Sequence, residues 1–196
     1  MMICVWKRLF LGIVCCLALN GCLQSGVPVQ KLPDITFKHL SPIALNVAQI
    51  DIIDHSKSGM AGEHVEHLFP TSPKQAMNNW VRDRLNATGT SGLARLSIND
   101  ASAIEEKLVK KTGLTGVFTN DQSERYTTNI DVRLDLFDGQ NNNTGYASAK
   151  ASRYITLAEN LSLLEREKAW FEMVEKLMAD LDKALVSNMN MNLLSK

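Results

Sequence analysis

The feature that most constrains the fold of this chain is a strict alternation of apolar and polar residues over positions 126–137. The even-numbered positions carry Tyr, Thr, Ile, Val and Leu, and the odd-numbered positions between them carry Thr, Asn, Asp and Arg. Successive side chains of a strand point to opposite faces, so the pattern predicts one buried and one wet face. That arrangement is typical of an antiparallel sheet covered on one side. Residues 138–145 are turn formers, and residues 146–157 are predicted to return as the partner strand.

Two amphipathic helices are predicted, one before this hairpin and one after it. The first begins with an N-capping serine and a proline at residues 72–73, and Gly89 is its predicted stop. The second begins at residues 162–165, Ser-Leu-Leu-Glu, a capping-box pattern, and then carries large apolar residues at steps of three and four. We expect Trp80 in the first helix and Trp170 in the second to be buried where the helices meet the sheet.

The other strand candidates are shorter. Residues 43–53 alternate and then shift phase, which predicts one strand that has a bulge or is buried on both faces. Residues 93–98 form a further strand, and residues 101–109 fit a strand or a helix equally well. The resulting order, β-α-β-β-β-α, predicts an α+β fold in which two helices pack on one face of an antiparallel or mixed sheet.

The N-terminus has the pattern of an exported precursor. Two basic residues at positions 7–8 precede a largely apolar run at positions 9–19, and the small residue Gly21 follows. These features predict a signal peptide over residues 1–21. The alternatives are a permanent membrane span and a cleaved signal without lipid. A permanent span would need about 20 apolar residues, which is more than this run provides.

The end of this segment, Leu-Asn-Gly-Cys at residues 19–22, resembles the lipobox of bacterial lipoprotein precursors. The resemblance implies that Cys22 is acylated on its thiol and becomes the first residue of the mature protein. All four cysteines lie within the first 22 residues, so the mature chain would keep Cys22 alone. A single thiol in an exported protein is unusual unless it is consumed, and lipidation consumes it. Apart from this covalent lipid on Cys22, we expect no cofactor.

The remaining chain suits one domain with a tail at each end. We expect residues 22–40 to be a lipidated tether, residues 41–187 a single periplasmic α+β domain, and residues 188–196 a tail that frays.

The net charge of the chain argues against a nucleic-acid partner. Loss of the signal peptide would remove two of the 21 basic residues and none of the 21 acidic ones, which leaves a net charge of −2. Proteins that bind nucleic acid usually show a basic excess. We therefore expect no nucleic-acid partner.

Histidines and carboxylates cluster around residues 63–67, where His64 and His67 alternate with Glu63 and Glu66. Such side chains can bind zinc or nickel. Their order matches neither H-E-x-x-H nor H-x-x-E-H, so the helical zinc-binding geometry is absent. We interpret the cluster as solvated loop charges and keep His64 and His67 as weak metal candidates.

Residues 113–118 combine two glycines with three apolar residues, Leu114, Val117 and Phe118, in a stretch expected to be a loop. Exposed apolar side chains in a loop are typical of a tip that binds a partner or touches a membrane. The alternative is a loop that folds back and caps the open end of the core. The sequence leaves both interpretations open.

Nothing in the sequence indicates catalysis. The chain lacks the G-x-S-x-G, P-loop and dinucleotide patterns. Asp131 and Asp135 flank Arg133 on the wet face of the alternating strand, where we expect cross-strand ion pairs. We expect a protein that is not an enzyme.

A lipobox followed by this element order resembles small envelope lipoproteins that assist transport machines. Examples are the LptE-type partner of the lipopolysaccharide translocon and the auxiliary lipoproteins of ABC-type lipid transporters. The resemblance implies a non-catalytic accessory subunit of an envelope transport or assembly complex, with its lipid in the membrane and an envelope protein as partner. Leu23, rather than Asp, follows the cysteine, which by resemblance to enterobacterial sorting implies the periplasmic face of the outer membrane. The alternative is a periplasmic lipoprotein that binds a small ligand or a metal.

Overall fold

The computed structural model describes residues 32–56, 64–108 and 122–194 of the 196-residue chain. In chain order the elements of these residues are β1 (Ile43–Leu45), β2 (Gln49–Asp54), a 3-10 helix (Glu66–Leu68), α1 (Pro73–Arg84), β3 (Leu85–Ala87), β4 (Leu93–Asp100), β5 (Ala103–Lys107), β6 (Gln122–Phe137), β7 (Asn143–Ala158), α2 (Leu163–Met189) and a π-helical turn (Asn190–Leu194).

Five of these strands form one mixed sheet. β7 runs antiparallel along one side of β6, and β4 followed by β5 runs antiparallel along the other side. β2 extends the sheet beyond β4 as a parallel strand. Leu96 of β4 therefore lies beside Ile52 of β2 and opposite Leu134 of β6, and Leu134 lies opposite Ala147 of β7.

Both helices pack on one face of this sheet. α2 lies against β7 and β6, and α1 lies against β6 and α2. The covered face carries the apolar residues that the alternation assigns to the core, and Ile130, Val132 and Leu134 of β6 are buried. Trp80 and Trp170 are also buried, as predicted. The predicted α+β class, with two helices on one face of a mixed sheet, is confirmed.

A polar contact joins the two helices inside this core. Asp182 of α2 accepts a hydrogen bond from Trp80 Nε1 at 2.7 Å and another from Arg84 Nε at 2.9 Å. Arg84 is buried, and a buried guanidinium is tolerated only when its charge is paired. Asp182 therefore fixes the position of α1 on α2.

The predicted single strand over residues 43–53 is wrong, because the structure divides it into β1 and β2. β1 pairs in parallel with β3 in a separate two-stranded sheet, whereas β2 pairs with β4. A tight turn separates them, with the Val47 amide bonded to the Leu45 carbonyl at 2.8 Å and Val47 buried. The phase shift in the sequence therefore marks a change of sheet and not a bulge.

The first helix ends earlier than predicted. Leu85 adopts an extended conformation and starts β3, so α1 stops at Arg84 and does not reach Gly89. Gly89 packs against the turn between β1 and β2, where an added Cβ would lie 2.7 Å from the Asn46 carbonyl carbon. The glycine is required for this close approach and does not end the helix.

Residues 103–107 of the ambiguous stretch form β5, and β6 starts four residues before the alternation does. β4 and β5 both lie along β6, and the break between them falls at Ser102, whose carbonyl accepts from the Asn129 amide at 2.9 Å.

The folded unit begins before the predicted boundary at residue 41. Residues 32–40, here called the N-terminal strap, place Ile35 and Phe37 in the core. Asn79 of α1 donates to the Ile35 carbonyl at 3.0 Å, and the Phe37 amide donates to Asp83 at 2.9 Å. Part of the predicted tether is thus packed on α1.

The C-terminal helix is longer than its apolar pattern indicates. α2 continues to Met189, whose side chain is buried, and the π-helical turn follows. The predicted tail over residues 188–196 thus begins inside the helix. In the part of the chain that the structure describes, neither helix has the length and apolar content needed to cross a bilayer.

Candidate functional site

The sequence-predicted site residues fall into two groups. Cys22 and the three apolar residues Leu114, Val117 and Phe118 lie outside the described residues. His64 and His67 lie inside them, just before the first helix.

His64 belongs to a structural contact. Its Nδ1 lies 2.9 Å from Glu66 Oε1, and the same oxygen accepts a hydrogen bond from the Ala103 amide at 2.9 Å. Burial alone would raise the pKa of Glu66, but the hydrogen bonds from His64 and Ala103 outweigh it and hold that pKa below its ordinary value. The pair therefore attaches this segment to the start of β5.

The interpretation as solvated loop charges is wrong for His64 and Glu66, which are partly buried, and fits His67, which is exposed. Within residues 32–56, 64–108 and 122–194, no three His, Cys, Asp or Glu side chains come together as a metal site would require. The two histidines thus have no third ligand there.

An aromatic cluster lies beside this contact. The ring of Phe69 stacks on Trp170 with centroids 5.0 Å apart and planes 12° from parallel. Tyr126 meets the same indole edge-on, at 5.2 Å and 67°. Stacked and edge-to-face geometries are the favoured ones for aromatic pairs, so the cluster is a rigid junction between the 3-10 helix, β6 and α2.

A charged network covers the cluster. Arg166 Nη1 donates to the carboxylate of Glu124 and, at 2.6 Å, to the hydroxyl oxygen of Tyr126. The Tyr126 hydroxyl donates to Glu124 at 2.9 Å. Burial and this hydrogen bond to Glu124 raise the pKa of Tyr126. The Arg166 guanidinium also lies 6.0 Å from the Trp170 ring centroid, within the range of a cation–π contact.

Large apolar side chains are exposed around this network. Leu68, next to Phe69, is 47% exposed, and Leu163, at the start of α2, is 68% exposed. We call this end of the domain the apical end; it comprises residues 66–69, the start of β6 and the first two turns of α2. β5 and β6 both reach it, with Lys107 opposite Glu124. The chain that holds Leu114, Val117 and Phe118 therefore leaves and re-enters the fold at this end.

Arg166, Glu124 and Phe69 were not predicted from the sequence to lie together. Two local signals were available. Arg166 lies one helical turn before Trp170, and Glu124 lies two residues before Tyr126 on the same face of β6. That Phe69 completes the stack depends on tertiary contacts alone.

The wet face of β6 is charged as predicted, but only some of its ion pairs are the expected cross-strand pairs. Asp131 pairs across strands with Lys150 at 2.7 Å, as expected. Arg133 instead pairs along its own strand with Asp135 at 2.9 Å, and its guanidinium lies 3.7 Å from the ring centroid of Tyr146.

A groove runs between the N-terminal strap and α2. Its volume is about 430 Å³, within the range of small-molecule sites. Apolar side chains of the strap and of Ala179 contribute most of its wall. Polar groups come from five residues, Thr36, His39, Glu175, Lys176 and Asp182.

No family model and no curated protein matches the sequence. Among the solved structures that are similar to the chain are two bacterial lipoproteins, and both similarities are weak. A minor lipoprotein from Acinetobacter baumannii is 9% identical, with 71% of this chain and 91% of that chain covered and a TM-score of 0.36. Rare lipoprotein B from Shewanella oneidensis is 11% identical, with 73% and 95% covered and a TM-score of 0.33. Likenesses at this level establish neither a shared family nor a shared function.

Proposed function

We propose that this protein is a lipoprotein acylated at Cys22 and held at the periplasmic face of the outer membrane. Its role is that of a non-catalytic accessory subunit of an envelope transport or assembly complex. In this proposal the lipid holds the domain at the membrane, and the apical end binds an envelope protein.

The observation that carries the proposal is that the apical end exposes apolar side chains above a tightly packed set of aromatic and charged residues. Leu68 and Leu163 expose large apolar side chains, although such residues are normally buried. Beneath them, Trp170 is held by two aromatic contacts and Arg166 by two hydrogen bonds. Exposed apolar side chains on a rigid base are typical of binding surfaces, because the backbone that presents them needs little ordering on association.

The proposal is tested in cells that make the full chain. We expect the double variant Leu68→Ser with Leu163→Ser to keep its stability within about 0.5 kcal/mol, because exposed side chains contribute little to folding. Recovery of cross-linked envelope proteins with the variant should fall several-fold, since the surface loses two apolar anchors.

Ile52→Ser is the matched control. Ile52 is 43% exposed on β2, outside the apical end, and its loss should leave partner recovery unchanged. Equal recovery with the double variant and with Ile52→Ser would contradict the assignment of the apical end.

A second candidate function rests on the groove beside the N-terminal strap. Its apolar wall and its polar and charged rim suit a small amphipathic ligand, so the alternative function is that of a periplasmic ligand-binding lipoprotein. Ala179→Trp would fill the groove, whereas Glu172→Trp would add the same side chain at an exposed position of α2 outside it. Binding of a fluorescent fatty acid that is lost in the first variant and kept in the second would favour this function.

A further inference from the structure

The second long strand of the hairpin has an edge without a partner strand. β7 is 16 residues long and pairs with β6 along one side, and no described strand pairs with its other side. From Gly145 to Leu157 its register with β6 is uninterrupted by a bulge. The segment also contains no proline.

The hydrogen-bonding direction of β6 shows which β7 residues face this edge. The Asn129 amide donates to Ser102, on the β5 side of the sheet. Backbone groups alternate in direction along a strand, so the even-numbered residues of β6 bond to β7. Their partners in β7 are odd-numbered, as in the pairs Ile130 with Ala151 and Val132 with Ala149. The even-numbered residues of β7 therefore turn their N–H and C=O groups outward.

The π-helical turn and the last turn of α2 contact β7, but they occupy few of these outward groups. Between residues 148 and 154, the one described contact to them is a hydrogen bond from the Asn188 side chain to the Ser148 carbonyl, at 2.7 Å. The backbone groups of Lys150, Ser152 and Tyr154 face outward without a described partner. Exposed edges of this length are usually protected by prolines, bulges or projecting charges, because they can pair with another chain.

The side chains along this edge are compatible with a second copy of the same edge. The even-numbered residues of β7, whose backbone groups face the edge, are Tyr146, Ser148, Lys150, Ser152 and Tyr154. This order of residue types is symmetric about Lys150. Two copies paired antiparallel about Lys150 would place each Tyr146 opposite Tyr154 and each Ser148 opposite Ser152. The two central ammonium groups would face each other, but Asp131 neutralises each of them at 2.7 Å.

The two tyrosines are held in place for such a contact. Tyr146 is 50% exposed and Tyr154 is 68% exposed. The guanidinium of Arg133 lies 3.7 Å from the ring centroid of Tyr146, and that of Arg125 lies 5.5 Å from the ring centroid of Tyr154. Aromatic pairs directly across two strands stabilise a sheet, and tyrosine is enriched at protein interfaces.

We propose that β7 is a dimerisation edge, at which two copies of the chain pair antiparallel about Lys150 and join their sheets. This contact uses a surface other than the apical end and would leave the apical end of each copy accessible.

Disulfide trapping tests the register directly in membranes that contain the full chain. Opposite residues in a hydrogen-bonded antiparallel pair have Cα atoms about 5.5 Å apart, within the range that a disulfide spans. Lys150→Cys should therefore give several-fold more disulfide-linked dimer than the parent chain, whose own cysteines set the background. Ser148→Cys alone should stay at background, and a mixture of Ser148→Cys and Ser152→Cys chains should cross-link.

Glu106→Cys is the control for random collision, since Glu106 is exposed on β5, away from β7. Background cross-linking at Lys150→Cys, or equal cross-linking at Glu106→Cys, would overturn the proposal. A disulfide between the Lys150→Cys chain and a different polypeptide would also overturn it, and would indicate strand addition by a partner.

Sedimentation of the full chain in density-matched detergent provides an independent measurement. Ser152→Pro removes an amide that points outward, so the pairing with β6 is kept while pairing with a second copy is lost. We expect the parent and Ser152→Ala to sediment as dimers and Ser152→Pro as a monomer with an unchanged far-ultraviolet circular-dichroism spectrum. A monomeric parent chain, or a dimeric Ser152→Pro variant, would contradict the assignment.

Discussion

Asp182 of α2 joins the two helices through hydrogen bonds from two residues of α1. It accepts from the Trp80 indole and from the buried Arg84, and both donors would lose their partner together. Neither the helical periodicity nor the composition reveals this contact, because residues 80 and 182 are distant in sequence and meet only when both helices lie on the sheet.

Asp182→Ala should therefore destabilise the domain strongly. Removing one partner of a buried ion pair costs about 3–5 kcal/mol, since the other charge is left unpaired. Asp180→Ala is the control on the same helix, because the Arg153–Asp180 pair is largely exposed and such pairs contribute about 0–1 kcal/mol. Urea unfolding of the two variants measures the difference, and a similar loss for both would show that Asp182 does not join the helices.

Glu66 predicts a pH dependence of stability. Hydrogen bonds from His64 and the Ala103 amide overcome the opposing effect of burial and lower the pKa of Glu66 in the folded chain. A carboxyl whose pKa is lower when folded contributes stability above its unfolded pKa, and that stability is lost as the pH falls through the folded pKa.

Glu66→Gln should consequently be less stable than the parent at pH 7 by about 1 kcal/mol, the net contribution of a typical hydrogen bond. The difference should shrink as the pH falls below the ordinary value of 4.5 for this group. Urea unfolding at pH 7, 5 and 3 measures it, with the exposed Glu106→Gln as control. A difference that grows on acidification would contradict the assignment.

Among the helices and strands, the sequence-based predictions succeeded where a single local pattern determines the element. The alternation over residues 126–137 predicted a buried face that the structure confirms, and Ser162 and Glu165 form the predicted capping box. The pattern failed over residues 43–53, because the same alternation fits one bulged strand or two strands in different sheets. Only the pairing of β1 with β3 and of β2 with β4 distinguishes them.

The candidate site was predictable only in part, for a similar reason. The position of the 113–118 segment between two strands follows from the chain order, and both strands reach the apical end. The support beneath Leu68 and Leu163 combines Phe69, the Glu124–Tyr126 part of β6, and Arg166 and Trp170 of α2. The proximity of these residues depends on the packing of three elements. No local pattern contains that information.

The capping box gives a prediction at the same scale. Ser162 Oγ accepts from the Glu165 amide at 3.3 Å, and Glu165 accepts from the Ser162 amide at 2.9 Å. Ser162→Ala should cost about 1 kcal/mol, because helix α2 loses its N-cap. Ser187→Ala, at an exposed position in the last turns of the same helix, should change stability by less than about 0.5 kcal/mol. Thermal unfolding compares the two, and an equal shift in Tm would show that the cap contributes nothing measurable.

The whole molecule is, in our proposal, an anchored domain that folds without its anchor. We expect Cys22→Ala to abolish membrane retention while the far-ultraviolet circular dichroism and urea midpoint stay unchanged. Each buried methylene of a lipid contributes roughly 0.8 kcal/mol to membrane binding, and stable anchoring needs more than one chain. Cys16→Ala, inside the proposed signal peptide, should leave retention intact. A Cys22→Ala chain that stays with the membrane after a high-salt wash would contradict lipid anchoring.

The proposed function depends above all on the binding of an envelope partner at the apical end of the anchored protein. Photo-cross-linking tests this binding when Leu163 is replaced with a photoreactive amino acid in the full chain, intact cells are illuminated and the attached protein is identified. We expect a discrete cross-linked envelope protein from position 163, the same protein from position 68, and none from the control position 52. An absence of product at both apical positions, or the same product at position 52, would rule out the apical end as the binding surface.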